Sequence, residues 1–262
     1  MNVPIFGKSK KSTTFAGMKQ AMIFAAGLGT RLKPITDSMP KAMVPVGGKP
    51  LLWHIVMKLK RSGFERIVIN VHHFADQIID YVKVNNNFGM DILISDERDL
   101  LLDTGGGLRK ALPLFDEGSP VLIHNVDIFS NVDLATFYDK ASSADALLLV
   151  YHLRTGRDLL FDSDMSLSGW TNDDKGIVKC VPGKEPVALS RYAFSGIHIV
   201  HPYLLESMTQ MPERFGIFEY YMQFCQQYRF LGYEQHDLRM LDVGKLDTLT
   251  QAEEFLKTAG TL

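Results

Sequence analysis

Apolar residues along the chain fall into two kinds of run, and the two alternate. Short runs occur at Ala21-Met22-Ile23-Phe24, at Ile67-Val68-Ile69-Asn70-Val71, at 91–95 and at Val121-Leu122-Ile123-His124. They have the length of buried strands and are bounded by glycine or polar residues. Between the first two, Leu51, Leu52, Ile55, Val56 and Leu59 recur at helical spacing, with Pro50 ahead of them and Gly63 after them. A second amphipathic helix is expected over 75–84, and a short one over 108–112, stopped by Pro113. Strand–helix alternation predicts an α/β fold, a mainly parallel central sheet flanked by helices. Ligands of such sheets gather beyond the carboxyl ends of the strands, where Gly27 and Asp127 fall.

The second half is less regular and predicts a β-rich insertion on the same core. Strands are expected over 146–153, 192–200 and 230–233, and hairpin material over 159–170 and 177–181 around the polar turn 172–176. Helical patterns cover 203–210, 218–228 and 246–256. One domain is expected over 18–262, with 1–17 a disordered leader or added remnant and Met18 the natural start.

The first strand runs into Ala25-Ala26-Gly27-Leu28-Gly29-Thr30-Arg31. A dinucleotide fingerprint fails here, because its third glycine position is Leu32. A Walker loop fails too, because Gly48-Lys49 is followed by Pro50. What remains is a small-residue loop whose N–H groups suit anionic oxygens, with Arg31 and Lys41 as cations: a polyphosphate site. Composition adds exclusions. At 262 residues a large core is available, and a net charge of −2 gives no reason to expect nucleic acid or an anionic membrane. No apolar run approaches the ~20 residues of a membrane helix. Cys180 and Cys225 make neither a disulfide framework nor a zinc site, and read as thiols in a reducing cytoplasm. His72 and His73 are adjacent and cannot face one metal, and Ser195 lacks a nucleophile elbow.

The string Gly27-x-Gly29-Thr30-Arg31-x-x-Pro34-x-Thr36, followed by Pro40-Lys41-Ala42, resembles the signature of the sugar-phosphate nucleotidyltransferases. Asp103-Thr104-Gly105-Gly106-Gly107, with Lys110-Ala111-Leu112-Pro113 after it, is similar to the N-acetylmuramate 1-phosphate uridylyltransferase-like branch. The resemblance covers about 18–257. It implies a Rossmann-like fold and a Mg²⁺-dependent reaction of an NTP with a sugar 1-phosphate, giving NDP-sugar and pyrophosphate. By resemblance, Ala25, Ala26, Gly27, Gly29 and Thr30 hold the triphosphate, Arg31 steadies the pyrophosphate and Lys41 contacts the α-phosphate. Thr104, Gly105, Gly106 and Asn125 are then nucleotide-binding, Asp103 and Gly196 sugar-binding, and Asp127 and Asp242 the metal ligands. Taken alone, the two cations read as solvated side chains, the two aspartates as turn or cap residues, and the glycine triplet as a mobile loop.

The chain departs from the family pattern at Val126, where the family has glycine, and at Met240 and Lys245 in the late motif. Val126 is expected to crowd the nucleotide sugar. These departures motivate a second reading, a catalytically weak, nucleotide-sugar-binding regulatory subunit. Guanylyl, thymidylyl and phosphocholine cytidylyl transfer stay open, as does a homo-oligomer. Asp127 and Asp242 are expected to repel each other, having no cation beside them in sequence.

Overall fold

The computed structural model describes residues 17–258, so the expectation for the leader falls outside the described residues apart from Gly17. The first apolar run is β1 (Gln20–Phe24). Two short paired strands, β2 (Pro45–Val46) and β3 (Lys49–Pro50), precede helix α1 (Leu51–Arg61). Then come β4 (Arg66–Val71), α2 (Ala75–Val84), β5 (Asp91–Asp96), α3 (Asp103–Ala111) and β6 (Val121–Asn125). The second half supplies β7 (Ile128–Ser130), α4 (Leu134–Tyr138), β8 (Ala146–Tyr151) and β9 (Leu159–Phe161). It continues with β10 (Leu167–Asn172), β11 (Ile177–Cys180), β12 (Ser190–Val200) and α5 (Pro202–Ser207). The last described elements are α6 (Ile217–Phe224), β13 (Phe230–Glu234), β14 (Met240–Asp242) and α7 (Asp247–Thr258).

Strands β6, β1, β4 and β5 lie side by side and parallel. β12 joins antiparallel to β6 and β8 antiparallel to β12, and β13 adds parallel to β8. β9, β10 and β11 extend from the other end of β12, for ten strands in all. The expected α/β architecture, with a parallel centre and a β-rich second half, is the one observed. Period-two alternation in β1 sends Ala21 and Ile23 to one face and Met22 to the other. Apolar faces of α1, α2 and α4 cover the first; α3, α5 and α6 cover the second. In α1, Leu51, Leu52, Ile55, Val56 and Leu59 are all 0% exposed. Each contributes roughly 1.5–3 kcal/mol. That far outweighs the ~1 kcal/mol of the side-chain N-cap which Pro50 does not supply.

The glycine triplet departs from expectation. The helix expected over 108–112 begins at Asp103 and takes in all three glycines, each costing about 1 kcal/mol of helix propensity. They are helical and closely packed rather than a mobile loop. A Cβ at Gly105 would overlap the Phe215 ring, one at Gly106 would lie 2.7 Å from the Glu213 carbonyl oxygen, and one at Gly107 2.6 Å from Glu97 Oε1. Only glycine lets α3 approach the 213–217 segment and Glu97 this closely.

A candidate active site at the strand ends

The loop after β1 is fixed by one side chain. Asn70, at the carboxyl end of β4, accepts hydrogen bonds through Oδ1 from the N–H groups of Ala25 (2.7 Å) and Ala26 (3.3 Å). Its amide donates to Glu97 Oε1 at 2.8 Å, and Glu97 Oε2 accepts from the Leu102 N–H at 3.2 Å. Glu97 is fully buried. Burial pushes its carboxyl up, and the Asn70 hydrogen bond opposes that. The network ties the exits of β1, β4 and β5 together and leads into α3. It also occupies the Ala25 and Ala26 amides, which the sequence offered to phosphate. Gly27 is exposed, with open space where a Cβ would stand.

Gly29 has φ 65°, and a Cβ there would lie 2.8 Å from Thr36 Cγ2 and 3.0 Å from Lys41 Cβ. Thr36 donates to the Gly29 carbonyl at 2.8 Å. The glycine therefore lets the loop pack down on Lys41. Lys41 forms an ion pair with Asp127, and both side chains are largely buried. Arg31 Nη2 lies 3.6 Å from Asp242 Oδ2, at a more open position. The cations that the sequence expectation left out are thus present, one for each carboxylate.

The two aspartates meet through strand pairing. Asp127 stands just before β7, β14 pairs antiparallel with β7 in the register Asp242↔Ile128, and the Val243 N–H donates to the Asp127 carbonyl at 2.8 Å. The carboxylates come close enough for the charge of one to act on the other. Partial burial, then the neighbouring Asp127 charge, push the Asp242 carboxyl up, while Arg31 and Lys41 pull it down. Behind this ribbon, buried Lys58 of α1 reaches the Ser130 carbonyl and, at 3.1 Å, the Ser130 hydroxyl. Desolvation brings its ammonium down to about 8.

A cavity of about 330 Å³ opens beside these groups. Ala25, Ala26, Gly27, Lys41, Asp103, Thr104, Asn125 and Asp127 are among the residues lining it. Gly29, Thr30 and Arg31 lie outside its lining. Gly105 and Gly106 do not line it either; their amides donate to the Phe215 carbonyl at 2.9 and 3.2 Å. Asp103 sits at the rim with φ 64°, and its carboxylate accepts from the Thr104 N–H at 2.7 Å, a local bond that suits aspartate to that backbone. A second cavity, about 490 Å³, shares Asn125 and contains Gly196 and Asp242. Gly196 (φ 80°) marks the place where β12 slips register against β8. Val126 is 3% exposed, belongs to the core cluster under α1 and also lines the first cavity. Sequence reasoning missed Asn70, Glu97, Leu101 and Arg214 in the first cavity. Asn70 carried a signal, a lone polar residue in an apolar run; Arg214 carried none.

The nucleotidyl transferase family matches residues 20–158. The N-acetylmuramate alpha-1-phosphate uridylyltransferase of Caulobacter vibrioides is 46% identical over 42% of this chain and 46% of that protein. The protein of the same name from Neisseria meningitidis serogroup B is 42% identical over 47% of this chain and 53% of that protein. The chain thus spans about half the length of these curated relatives. The crystal structure of HddC from Yersinia pseudotuberculosis superimposes with a TM-score of 0.72 over 90% of this chain and 99% of that one, at 23% identity, a likeness of fold. With the match to residues 20–158 spanning more than half its length, the chain belongs to the nucleotidyl transferase family.

Proposed function

We propose that this chain is a single nucleotidyltransferase domain over 18–262 that transfers a nucleotidyl group from an NTP to a sugar 1-phosphate, with UTP and N-acetylmuramate 1-phosphate as the first pair to test. The observation that carries the reading is the meeting of Lys41, Asp127, Asp242 and Arg31 between two cavities. The NTP occupies the first cavity and the sugar phosphate approaches from the second, beside Gly196. An oxygen of the sugar phosphate attacks the α-phosphorus, and the bond from that phosphorus to the oxygen bridging to the β-phosphate breaks. Pyrophosphate leaves with the bonding electrons. The attacking oxygen is already anionic, so no general base is required; alignment and neutralisation do most of the work. Lys41 serves the α-phosphate, and Arg31 the departing pyrophosphate.

The donor set fits a divalent ion. Two carboxylates are held together where burial, and then the neighbouring Asp127 charge, raise Asp242, and a cation between them would relieve the repulsion. Among the described residues no third His, Cys, Asp or Glu joins them, which leaves the other positions to water and phosphate oxygens, as Mg²⁺ prefers. When bound, the ion neutralises charge developing around the α-phosphate. No described helix is long and apolar enough to cross a membrane, and Cys180 and Cys225 are free thiols. Both support a cytoplasmic location, and homo-oligomerisation is compatible with the reading. The regulatory-subunit alternative is less favoured, since Asp242 still lies beside Asp127 despite the altered late motif.

The test is a matrix of NTPs against sugar 1-phosphates, read by pyrophosphate release with Mg²⁺ and with chelator. Release is expected for UTP with N-acetylmuramate 1-phosphate and is lost on chelation. Binding of nucleotide-sugar with no release from any pair would overturn the reading in favour of the regulatory subunit.

A further inference from the structure

The ribbon that brings Asp127 and Asp242 together is separate from the ten-stranded sheet. β7 and β14 form a two-stranded sheet of their own. Such a ribbon is marginal by itself, so its placement depends on what its side chains meet. Phe129 of β7 is fully buried, edge-on to the His54 ring of α1 at 5.2 Å and 6.5 Å from the Phe255 ring of α7. Hydrophobic contact of this kind is non-directional. It presses the ribbon onto the core without fixing where along α1 the ribbon lies.

The directional contact comes from Lys58. It stands on the apolar stripe of α1, three residues after Ile55 and beside Leu59, where helical spacing calls for an apolar side chain. Lys58 is 6% exposed and Ser130 1%. The Lys58 ammonium donates to the Ser130 carbonyl and, at 3.1 Å, to the Ser130 hydroxyl. Asp133, the N-cap of α4, favours the charge through its own, but burial outweighs it. A buried ammonium held by neutral oxygens costs stability that an apolar side chain of the same length would not. Stability alone therefore gives no reason for a lysine here. The place of Ser130 does. It follows Asp127 by three positions and pairs across the ribbon with Met240, two positions before Asp242.

We propose that Lys58 is a positioning residue: its hold on Ser130 sets where the β7–β14 ribbon lies against α1, and so where Asp127 and Asp242 stand relative to Lys41 and Arg31. The proposal rests on the transfer reading above and adds to it a residue on the far side of the ribbon from the reacting groups. A shift of the ribbon carries both carboxylates with it. Divalent-ion binding and the chemical step then suffer. The loop after β1 is fixed separately by Asn70, so NTP binding is spared.

The experiment compares wild type with Lys58→Met and Ser130→Ala by two readouts. The first is amide hydrogen exchange in the free protein. Lys58→Met should speed exchange at least about 10-fold at the Val243 and Asn131 amides, which bond to the Asp127 and Arg239 carbonyls, and leave the β1 and β4 amides within about twofold. The second is pyrophosphate release against Mg²⁺ concentration, with the most active pair of substrates. Lys58→Met should lower kcat and raise the half-saturating Mg²⁺ by about 10-fold each, the scale of losing outer support for metal ligands, with KM for the NTP within about twofold. Ser130→Ala keeps the carbonyl and should move the same quantities the same way by less. Exchange that quickens at all protected amides alike, or ribbon exchange and kcat at wild-type values, would overturn the positioning role. If Lys58→Met fails to fold, Ser130→Ala decides by the same outcomes. No release by wild type from any pair would overturn the transfer reading instead, and ribbon exchange would still decide whether Lys58 places the ribbon.

Discussion

The first cavity and a third, about 690 Å³ between β9–β10 and α6, touch at Thr104 yet are built by opposite means. The first is fixed by backbone and buried polar groups: the Ala25–Asn70–Glu97–Leu102 hydrogen bonds and the Lys41–Asp127 pair. The third is walled by half-buried aromatic side chains on β10, β12 and α6, with charges at its edge. A network of buried polar groups tolerates few changes, because removing one partner strands another. Aromatic walls can be trimmed one ring at a time. Changes in the first region should therefore affect every substrate, and changes in the third should be selective.

The largest effect that would sharpen this contrast is at the carboxylates. Asp127→Asn and Asp242→Asn should each cut pyrophosphate release by about 10³-fold or more on any sugar, the scale of losing a principal charge stabiliser. Stability should move the other way for Asp242. Its folded carboxyl is raised, so the fold holds that proton more tightly than the unfolded chain does. Wild type then loses stability as pH rises through the folded value. Thermal melts should put Asp242→Asn at or above wild type at pH 8, with the gap closing at acid pH.

Lys41→Ala and Arg31→Ala should each lower turnover by about 10²-fold, and they separate in stability. Lys41 and Asp127 are 13% and 12% exposed at the side chain, so Lys41→Ala strands a buried carboxylate and costs about 3 kcal/mol. Arg31 is 53% exposed, and its loss should barely shift a denaturant midpoint. Near-normal turnover in Lys41→Ala would break the comparison at its centre.

Gly105→Ala drives a methyl into Phe215, which is 2% exposed, and should cost about 1–3 kcal/mol by urea unfolding. Because Phe215 and α6 move with it, this one change should weaken both cavities. Val126→Gly removes a packed side chain and should cost about 2 kcal/mol with KM for NTP unchanged within about twofold. A clear fall in that KM would restore the idea that Val126 crowds the nucleotide sugar.

An effect on stability alone concerns His198, 1% exposed among Phe194 and Tyr221. Burial takes its imidazole from 6.5 down to about 3. The unfolded chain binds that proton first, so stability is full above pH 6.5 and is lost as pH falls toward about 3. His198→Leu should flatten the acid limb in melts between those values. His124, equally buried and also down to about 3, keeps part of the slope in that variant.

Much of this protein was legible in the chain itself. The strands and helices of the first half follow from local burial, which repeats every two or 3.6 residues and so prints itself on the sequence. The loop at Gly27 and the cation Lys41 were readable because a bend and a charge are properties of the residues present. Other features depended on tertiary contact. The glycine triplet reads as a loop until Phe215, Glu213 and Glu97 are found where its side chains would be. Asp127 meets Asp242 only through the register of β7 with β14, and Lys41 reaches Asp127 only because β1 and β6 pair in parallel and bring their carboxyl ends together. The third cavity exists only where α6 crosses β10. Such pairings are long-range: their energy comes from groups far apart in the chain, and no local periodicity records which distant residue supplies the partner.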